Sequence, residues 1–358
     1  MYPLKFKKNL VKKVWGGRKF KEVLNMELPD NDLYGESWEV SSHKGGLSYV
    51  DNGDFQGKSL IELIEKYGKD ILGEEIAEKF KGKFPLLIKY LDINDRLSVQ
   101  VHPSDEYALR VEGEFGKSES WYIMEASDDA TLILGIKDGI TKEIFKERVE
   151  AKEFDGLFNT VKVKKGDFIN LCPGVVHATM EGSILICEVQ QNSDTTYRIY
   201  DFDRLVDGKL RELHIDKALD VIDFEGDVEI TTDKSRKKIL LAGAEKEELI
   251  RGEYFNIDKY LVDGEFKDEI NRNFKVYSIL DGEGKIIYNE KEYHAEKGDT
   301  YFIPAGLELK IIVIYLKLRV KLRFYAFLSF FDTFAHKVAQ TWFILHESWH
   351  STLFGIYY

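Results

Sequence analysis

Two ten-residue segments of this 358-residue chain are versions of one another. Lys165-Gly166-Asp167-Phe168-Ile169-Asn170-Leu171-Cys172-Pro173-Gly174 recurs as Lys297-Gly298-Asp299-Thr300-Tyr301-Phe302-Ile303-Pro304-Ala305-Gly306. Each copy reads as a Gly-Asp turn, an apolar strand and a Pro/Gly turn out of it. A repeated turn–strand–turn unit implies two similar β-domains. Short strand-like runs bounded by Gly, Asp and Asn fill much of the rest, at 36–42, 47–50, 98–102, 120–125, 130–136, 167–171 and 184–190. Two segments, beginning at Leu60 and at Thr141, instead carry apolar residues at helical spacing. Many short strands with few helices predict a mainly β protein of the antiparallel barrel or jelly-roll type.

The two copies differ where chemistry would reside. Gly174 is followed three residues later by His177, whereas Gly306 is followed at the same distance by Leu309. Only the first copy carries a metal-capable side chain. In the same half, Leu97-Ser98-Val99-Gln100-Val101-His102-Pro103 reads as strand, so Gln100 and His102 share a face about 6–7 Å apart. That spacing lets a carboxamide oxygen and an imidazole nitrogen reach one small cation. Lys117-Ser118-Glu119-Ser120-Trp121-Tyr122 adds a carboxylate at Glu119. Two imidazoles and two side-chain oxygens without a thiolate suit Zn2+, or another borderline divalent ion, with positions left open for substrate. Taken singly, His177 reads as a turn cap and Glu119 as a solvated carboxylate. It is their joint occurrence that points to a metal.

Composition narrows the function classes. A net charge of −12 argues against nucleic acid as a partner. Cys172 and Cys187 alone cannot build a disulfide framework or a cysteine zinc site, which fits a reducing compartment. The opening Met1-Tyr2-Pro3-Leu4-Lys5-Phe6-Lys7-Lys8 lacks the apolar run of a signal peptide, and no long apolar stretch suggests a membrane span. The cytoplasm is the expected location.

Five segments together carry a family resemblance: Val14-Trp15-Gly16-Gly17, Glu36-Ser37-Trp38-Glu39, the Gln100/His102 strand, the Glu119 segment and Asn192-Ser193-Asp194-Thr195-Thr196-Tyr197-Arg198. In these, and in their order along residues 1–310, the chain resembles the type I mannose-6-phosphate isomerases in their short bacterial form, members of the cupin superfamily. The resemblance implies two cupin-type jelly-roll β-barrel domains with a few short helices, a catalytic one over 1–228 and a second without metal over 229–312. It implies one zinc ion in the catalytic domain, held by Gln100, His102, Glu119 and His177, and interconversion of mannose 6-phosphate and fructose 6-phosphate through an enediolate.

By the same resemblance Asp194 and Lys89 match positions proposed to handle protons, and Arg198 matches an active-site arginine. Which residue is the base stays open. On the residues alone, Lys89 also reads as a snorkelling lysine and Asp194 as a turn cap. The Arg198 fork suits either a phosphate or enediolate charge. Lys117, two residues before Glu119, is a plausible second cationic group. A phosphosugar-binding cupin without turnover, a sensor or degenerate paralogue, is the alternative; a metal oxygenase cupin is disfavoured by Gln100 beside His102.

Cys172 stands in the slot that Pro304 fills in the second copy and is expected to be a small buried packing residue. Trp15, Trp38 and Trp121 are expected in the core or pocket wall, and His43, His214 and His294 as surface or structural histidines. Residues 309–358 hold 13 aromatics in 50, against 34 in the preceding 308, and only Asp332 and Glu347 as acids. The resembled family ends soon after Pro304. Residues 313–358 are therefore expected to be a frameshifted or foreign tail, poorly packed and leaving an unpaired edge beside Tyr301–Ile303. A membrane-surface anchor over 316–331 is the functional alternative. His346-Glu347-Ser348-Trp349-His350 spells a zinc-protease pattern, read as chance because no strong helix frames it.

Overall fold

The structure, a computed structural model, describes residues 1–226, 228, 230–268, 270–313 and 351–357. It is mainly β, and every paired strand among the described residues is antiparallel. Two compact units emerge, one of residues 6–65 and 83–235, the other of 1–5, 66–82 and 236–358. The two units divide at 5/6, 65/66, 82/83 and 235/236. The second unit also draws in the N-terminal strand and the short helices Lys69–Leu72 and Glu74–Lys79.

In the larger unit a five-stranded sheet runs in the order Tyr197–Tyr200, Val99–Val101, His177–Glu181, Thr131–Ile136, Phe158–Lys162. A seven-stranded sheet runs Ile230–Thr231, Phe168–Leu171, Glu119–Ala126, Ile184–Gln191, Leu86–Ile93, Tyr34–Ser41, Asn9–Gly17. Strand alternation sorts the side chains by face. Leu132 and Leu134 pack with Leu91, Trp121, Ile123, Ile169 and Ile186 in one buried cluster. The alternate residues Val99, Val101, Ile133, Ala178, Tyr197 and Ile199 pack with Phe145, Val149, Ala218 and Leu219 in another. Those last four come from the helices Lys142–Glu150 and Ile215–Val221, which cover the outer face of the five-stranded sheet. The first of these helices starts where helical spacing predicts it, capped by Thr141 Oγ1 accepting from the Ile144 amide at 3.4 Å. The expected strand at 47–50 is reduced to bridges, Phe6 with Val50 and Tyr49 with Ser59.

The repeated segments fold alike. Gly166 and Gly298 both sit at positive φ, +93° and +90°, a backbone that favours glycine. The Gly166 amide donates to the Ile123 carbonyl and the Gly298 amide to the Ile279 carbonyl, each at 2.8 Å. Asp167 and Asp299 turn their carboxylates back onto the amides of Lys164 and Glu296, at 3.0 and 3.2 Å. The Gly-Asp pair therefore builds one turn twice, once in each unit.

In the smaller unit a seven-stranded sheet runs Leu4–Lys5, Thr300–Ile303, Lys275–Asp281, Ser351–Tyr357, Asn256–Val262, Ala244–Arg251, Lys238–Leu241. A four-stranded sheet runs Glu265–Asp268, Leu309–Val313, Glu283–Tyr288, Lys291–Glu296. Two expectations are corrected here. Thr300–Ile303 is not an unpaired edge, because Leu4–Lys5 pairs on one side and Lys275–Asp281 on the other. The end of the aromatic-rich tail is not poorly packed: Ser351–Tyr357 lies between Lys275–Asp281 and Asn256–Val262, and Ile356 is fully buried. Residues 314–350, with the Leu316 to Phe331 stretch and the His346/His350 pattern, lie outside the described residues. No helix among the described residues is long and apolar enough to cross a membrane, and no sheet among them closes into a barrel.

Candidate metal centre

The site begins as a row across one sheet. Arg198 pairs with Gln100, and Gln100 with His177, so three neighbouring strands bring these residues side by side. Val99 and Val101 turn to the opposite face and pack in the core, leaving Gln100 and then His102 on the inner face. Glu119 starts a strand of the seven-stranded sheet and is fully buried, as are His102 and His177 to within 2%. One ligand-capable atom from each of His102, Glu119 and His177 lies within 4.8 Å of the others, the only such group of three or more His, Cys, Asp or Glu among the described residues.

The rings are oriented from behind. His102 Nδ1 meets the Thr195 carbonyl at 2.9 Å and His177 Nδ1 meets the Val175 carbonyl at 3.0 Å. Each Nδ1 thus carries the proton and each Nε2 presents a lone pair inward. His177 Nε2 lies 3.1 Å from Glu119 Oε1, and His102 Nε2 lies 3.6 Å from Glu119 Oε2. Despite that proximity Glu119 Oε1 has no hydrogen bond. Glu119 Oε1 and the inward lone pair of His177 Nε2 stand acceptor against acceptor, and a cation between them would complete both, so these residues fit a divalent metal. Gln100 turns Nε2 to His177 Nε2 at 3.3 Å. The flipped amide, which differs only by exchange of O and N, would present Oε1 as a further ligand.

Lys117 Nζ donates to Glu119 Oε2 at 2.5 Å and contacts His102 Nε2 at 3.1 Å. Burial, and then the Lys117 charge, push the His102 imidazole down to about 4, which keeps it neutral as a ligand must be. Burial works to raise the Glu119 carboxyl, but Lys117 and the two histidines outweigh it and hold it well below the usual range.

Beside this cluster the seven-stranded sheet contributes a second row. Trp38 pairs with Lys89, Lys89 with Glu188, and Glu188 with Trp121. Trp121 Nε1 donates to Glu188 Oε1 at 2.8 Å, and Lys89 Nζ lies 3.6 Å from Glu188 Oε2 and 4.9 Å from the Trp38 ring centroid. Burial opposes the charge on Lys89, yet Glu36 and Glu188 prevail and raise its pKa, so it stays an ammonium. Burial also raises Glu188, with the Glu119 charge adding to it. Lys89 is no snorkelling edge residue, being 4% exposed in the middle of a sheet.

A cavity of about 460 Å³ opens over both rows, lined by Gln100, Lys117, Lys89, Glu188, Asp194 and Arg198 among others. Of the eight residues singled out from sequence, Lys89, Gln100, Lys117, Asp194 and Arg198 line this cavity, and His102, Glu119 and His177 form the metal-capable cluster, His177 next to Gln100 across the sheet. Glu36, Glu188 and Arg211 line it too and escape a reading of the sequence. The signal for Glu188 is a lone acid inside the apolar run Ile184-Leu185-Ile186-Cys187-Glu188-Val189. Trp15 and Trp121 form pocket wall, as expected. His214 is structural, its Nδ1 taking the Arg198 amide at 3.1 Å. Cys172 is corrected: it is exposed, with Sγ accepting from Asn170 Nδ2 at 3.3 Å, because its side chain leaves the strand end where the Pro173-Gly174 turn begins.

Sheets of this kind with a histidine–carboxylate cluster on an inner face define the cupin class. Comparison with known proteins takes the assignment further. Residues 3–129 match the description "Phosphomannose isomerase type I, catalytic domain", and residues 245–312 match "Mannose-6-phosphate isomerase, cupin domain". The mannose-6-phosphate isomerase ManA of Bacillus subtilis is 40% identical over 308 residues, 85% of this chain and 94% of that one. The mannose-6-phosphate isomerase of Streptococcus mutans is 37% identical over 303 residues, 84% of this chain and 92% of that one. The crystal structure of a Bacillus subtilis mannose 6-phosphate isomerase superposes with a TM-score of 0.81 at 29% identity, covering 100% of both chains. The chain belongs to the type I phosphomannose isomerase family. It is accordingly an enzyme, an aldose–ketose isomerase, which sets aside the binder without turnover.

Proposed function

We propose that this enzyme interconverts mannose 6-phosphate and fructose 6-phosphate with one Zn2+ per catalytic domain, held by Gln100, His102, Glu119 and His177. The observation that carries the reading is the buried convergence of His102, Glu119 and His177, with Glu119 Oε1 left without a hydrogen bond beside His177 Nε2, next to a cation-rich cavity. When bound, the ion would supply Lewis-acid polarisation of a sugar oxygen and offset enediolate charge.

The chain's own groups account for the proton transfer. Isomerisation needs a base beside the carbon next to the carbonyl. Lys89, held charged by Glu36 and Glu188, is suited to donate a hydrogen bond to a sugar oxygen and unsuited to take a proton. Asp194 reaches the cavity with no hydrogen bond to its carboxylate among the described residues, and it is the base in this reading. Trp121 and Lys89 fix Glu188 from both sides, which in turn positions Lys89. Lys117 and Arg198 add positive charge where negative charge develops.

In the same reading residues 1–228 and 229–312 are two cupin jelly rolls, the second supportive, and the enzyme works on its small phosphosugar in the cytoplasm without nucleic acid or membrane. The repeated Gly-Asp turn supports the two-fold plan, and Leu309, buried where the first copy has His177, supports a metal-free second copy. Purified protein tested for metal content and coupled isomerase turnover decides the function. Full turnover by protein freed of metal would overturn the metal reading, and metal-loaded protein inert on mannose 6-phosphate would overturn the substrate.

A further inference from the structure

The repeated turn fixes which residues of the two units correspond, and the correspondence extends to the metal-capable cluster. Leu171 pairs with Glu119 and Ile169 with Trp121; in the second copy Ile303 pairs with Lys275 and Tyr301 with Tyr277. His177 pairs with Gln100, and Leu309 with Asp268. The Gly174 amide donates to the His102 carbonyl at 2.9 Å, and the Gly306 amide to the Asn271 carbonyl at 2.7 Å. Asp268, Asn271, Lys275 and Leu309 of the smaller unit are therefore the counterparts of Gln100, His102, Glu119 and His177, with one extra residue between the first two.

These counterparts do not fit a metal. Both imidazoles are gone, and an ammonium stands at the register position of the Glu119 carboxylate. All four residues are buried. Lys275 Nζ donates to Asp268 Oδ1 at 2.6 Å, and the Tyr277 hydroxyl donates to Asp268 Oδ2. Burial, and then the Asp268 charge, raise the Tyr277 pKa, so the phenol stays a donor. The charges of the first copy are thus exchanged across the same frame. The carboxylate lies on the strand Glu265–Asp268, where the first copy has Gln100, and the chain itself supplies the positive charge. A buried carboxylate needs such a partner. Glu119 Oε1 has no hydrogen bond, whereas both oxygens of Asp268 are taken.

We propose that the second copy is a metal site converted into an internal ion pair, in which the Lys275 ammonium takes the part of the cation and the smaller unit closes its interior without a metal. Two side chains, at 275 and 309, separate this state from a metal-binding one. A carboxylate at 275 and an imidazole at 309 would join Asp268 with the ligand types that the first copy supplies from the same register positions. The inference rests on the metal centre proposed above for the nature of the ion; the ion pair itself does not depend on it.

The test compares full-length wild type with K275M, D268N, D268N/K275M and K275E/L309H, each measured for melting temperature and for Co2+ or Zn2+ bound per chain. K275M keeps the length of the side chain and leaves a buried carboxylate without its cation, so it should melt roughly 10 °C lower. D268N should lose a similar amount by stranding the ammonium. D268N/K275M should recover about half or more of the K275M loss, because neither charge is then left unpaired. K275E/L309H should bind one metal ion more per chain than wild type, and its melting temperature should rise with metal by more than the wild-type one does. K275M melting within about 2 °C of wild type, or losses that simply add in D268N/K275M, would overturn the ion pair. K275E/L309H is refolded with and without Zn2+. Folding only with the ion supports the conversion; folding without any gain in bound metal, or in neither condition, overturns it. Should wild type bind no metal, the metal centre of the first unit fails, and the gain of an ion over wild type still tests the second copy.

Discussion

At the residue scale, the site places acceptors against acceptors at its base and counts charges carefully above it. His102→Ala or His177→Ala removes one of two imidazoles, so metal content should fall to near zero and turnover with it; metal-replete His177→Ala protein would show the cluster is not the site. Asp194→Asn should leave the metal in place and lower kcat roughly 10²- to 10⁴-fold, the usual worth of a positioned base. An unaffected kcat would transfer that role to one of the other two carboxylates lining the cavity, Glu188 or Glu36. Glu36 gives a test that does not involve the metal. Burial opposes its charge, but Lys89 and Lys13 prevail and draw its pKa from 4.5 to about 2. A carboxylate lowered on folding stabilises fully above its unfolded pKa and loses that contribution as pH falls through the folded one. The stability difference between wild type and Glu36→Gln should therefore be constant above about pH 5, on the order of 3 kcal/mol, and shrink steadily toward pH 3. A difference independent of pH would mean Glu36 acts through packing alone.

At the scale of elements, the strand alternation that makes a core also makes the site. Gln100 and His102 were legible because strand periodicity fixes which residues share a face, and the Gly-Asp echo because a turn needing positive φ and a side-chain acceptor has few sequence solutions. What sequence could not show is which strands become neighbours. Arg198 beside Gln100 and Glu188 beside Lys89 are pairings between segments about a hundred residues apart, fixed by the sheet order and not by any local pattern. Cys172 was misplaced for a related reason: burial at a strand end depends on what packs over it. The repeated turn predicts a matched pair of effects. Ala at Gly166 or at Gly298 forces a side chain into positive φ and should cost about 1–2 kcal/mol at either position in urea titrations. At Gly166 the new Cβ would also come within 2.9 Å of the Asp233 carboxylate. A neutral substitution at both would mean the turns are held by the aspartates alone.

At the scale of the whole molecule, the informative region is the C-terminus. Matching to the family stops at residue 312, at the point where acidic residues nearly vanish and aromatics multiply. Composition alone marks the segment as foreign and poorly packed. The pairing of Ser351–Tyr357 reverses that expectation. Seven residues with a fully buried Ile356 fill the slot between Lys275–Asp281 and Asn256–Val262. Composition could not show this, because a strand paired on both edges needs only a short run with β-branched or aromatic residues, and Thr352, Phe354, Ile356 and Tyr357 supply it whatever precedes them. Deleting residues 351–358 would expose the edges of two strands at once and remove a ladder of backbone hydrogen bonds, each worth about 1 kcal/mol. The summed loss is on the order of 5 kcal/mol, comparable with the entire stability of a typical domain. The deleted protein should melt at a lower temperature and aggregate through the opened edges. The metal-capable residues all lie between positions 100 and 177, in the other unit, so metal bound per folded molecule should not change. A deletion that melts as high as the full chain, or that gains soluble yield, would show the strand contributes nothing and return the segment to the status of an appendage.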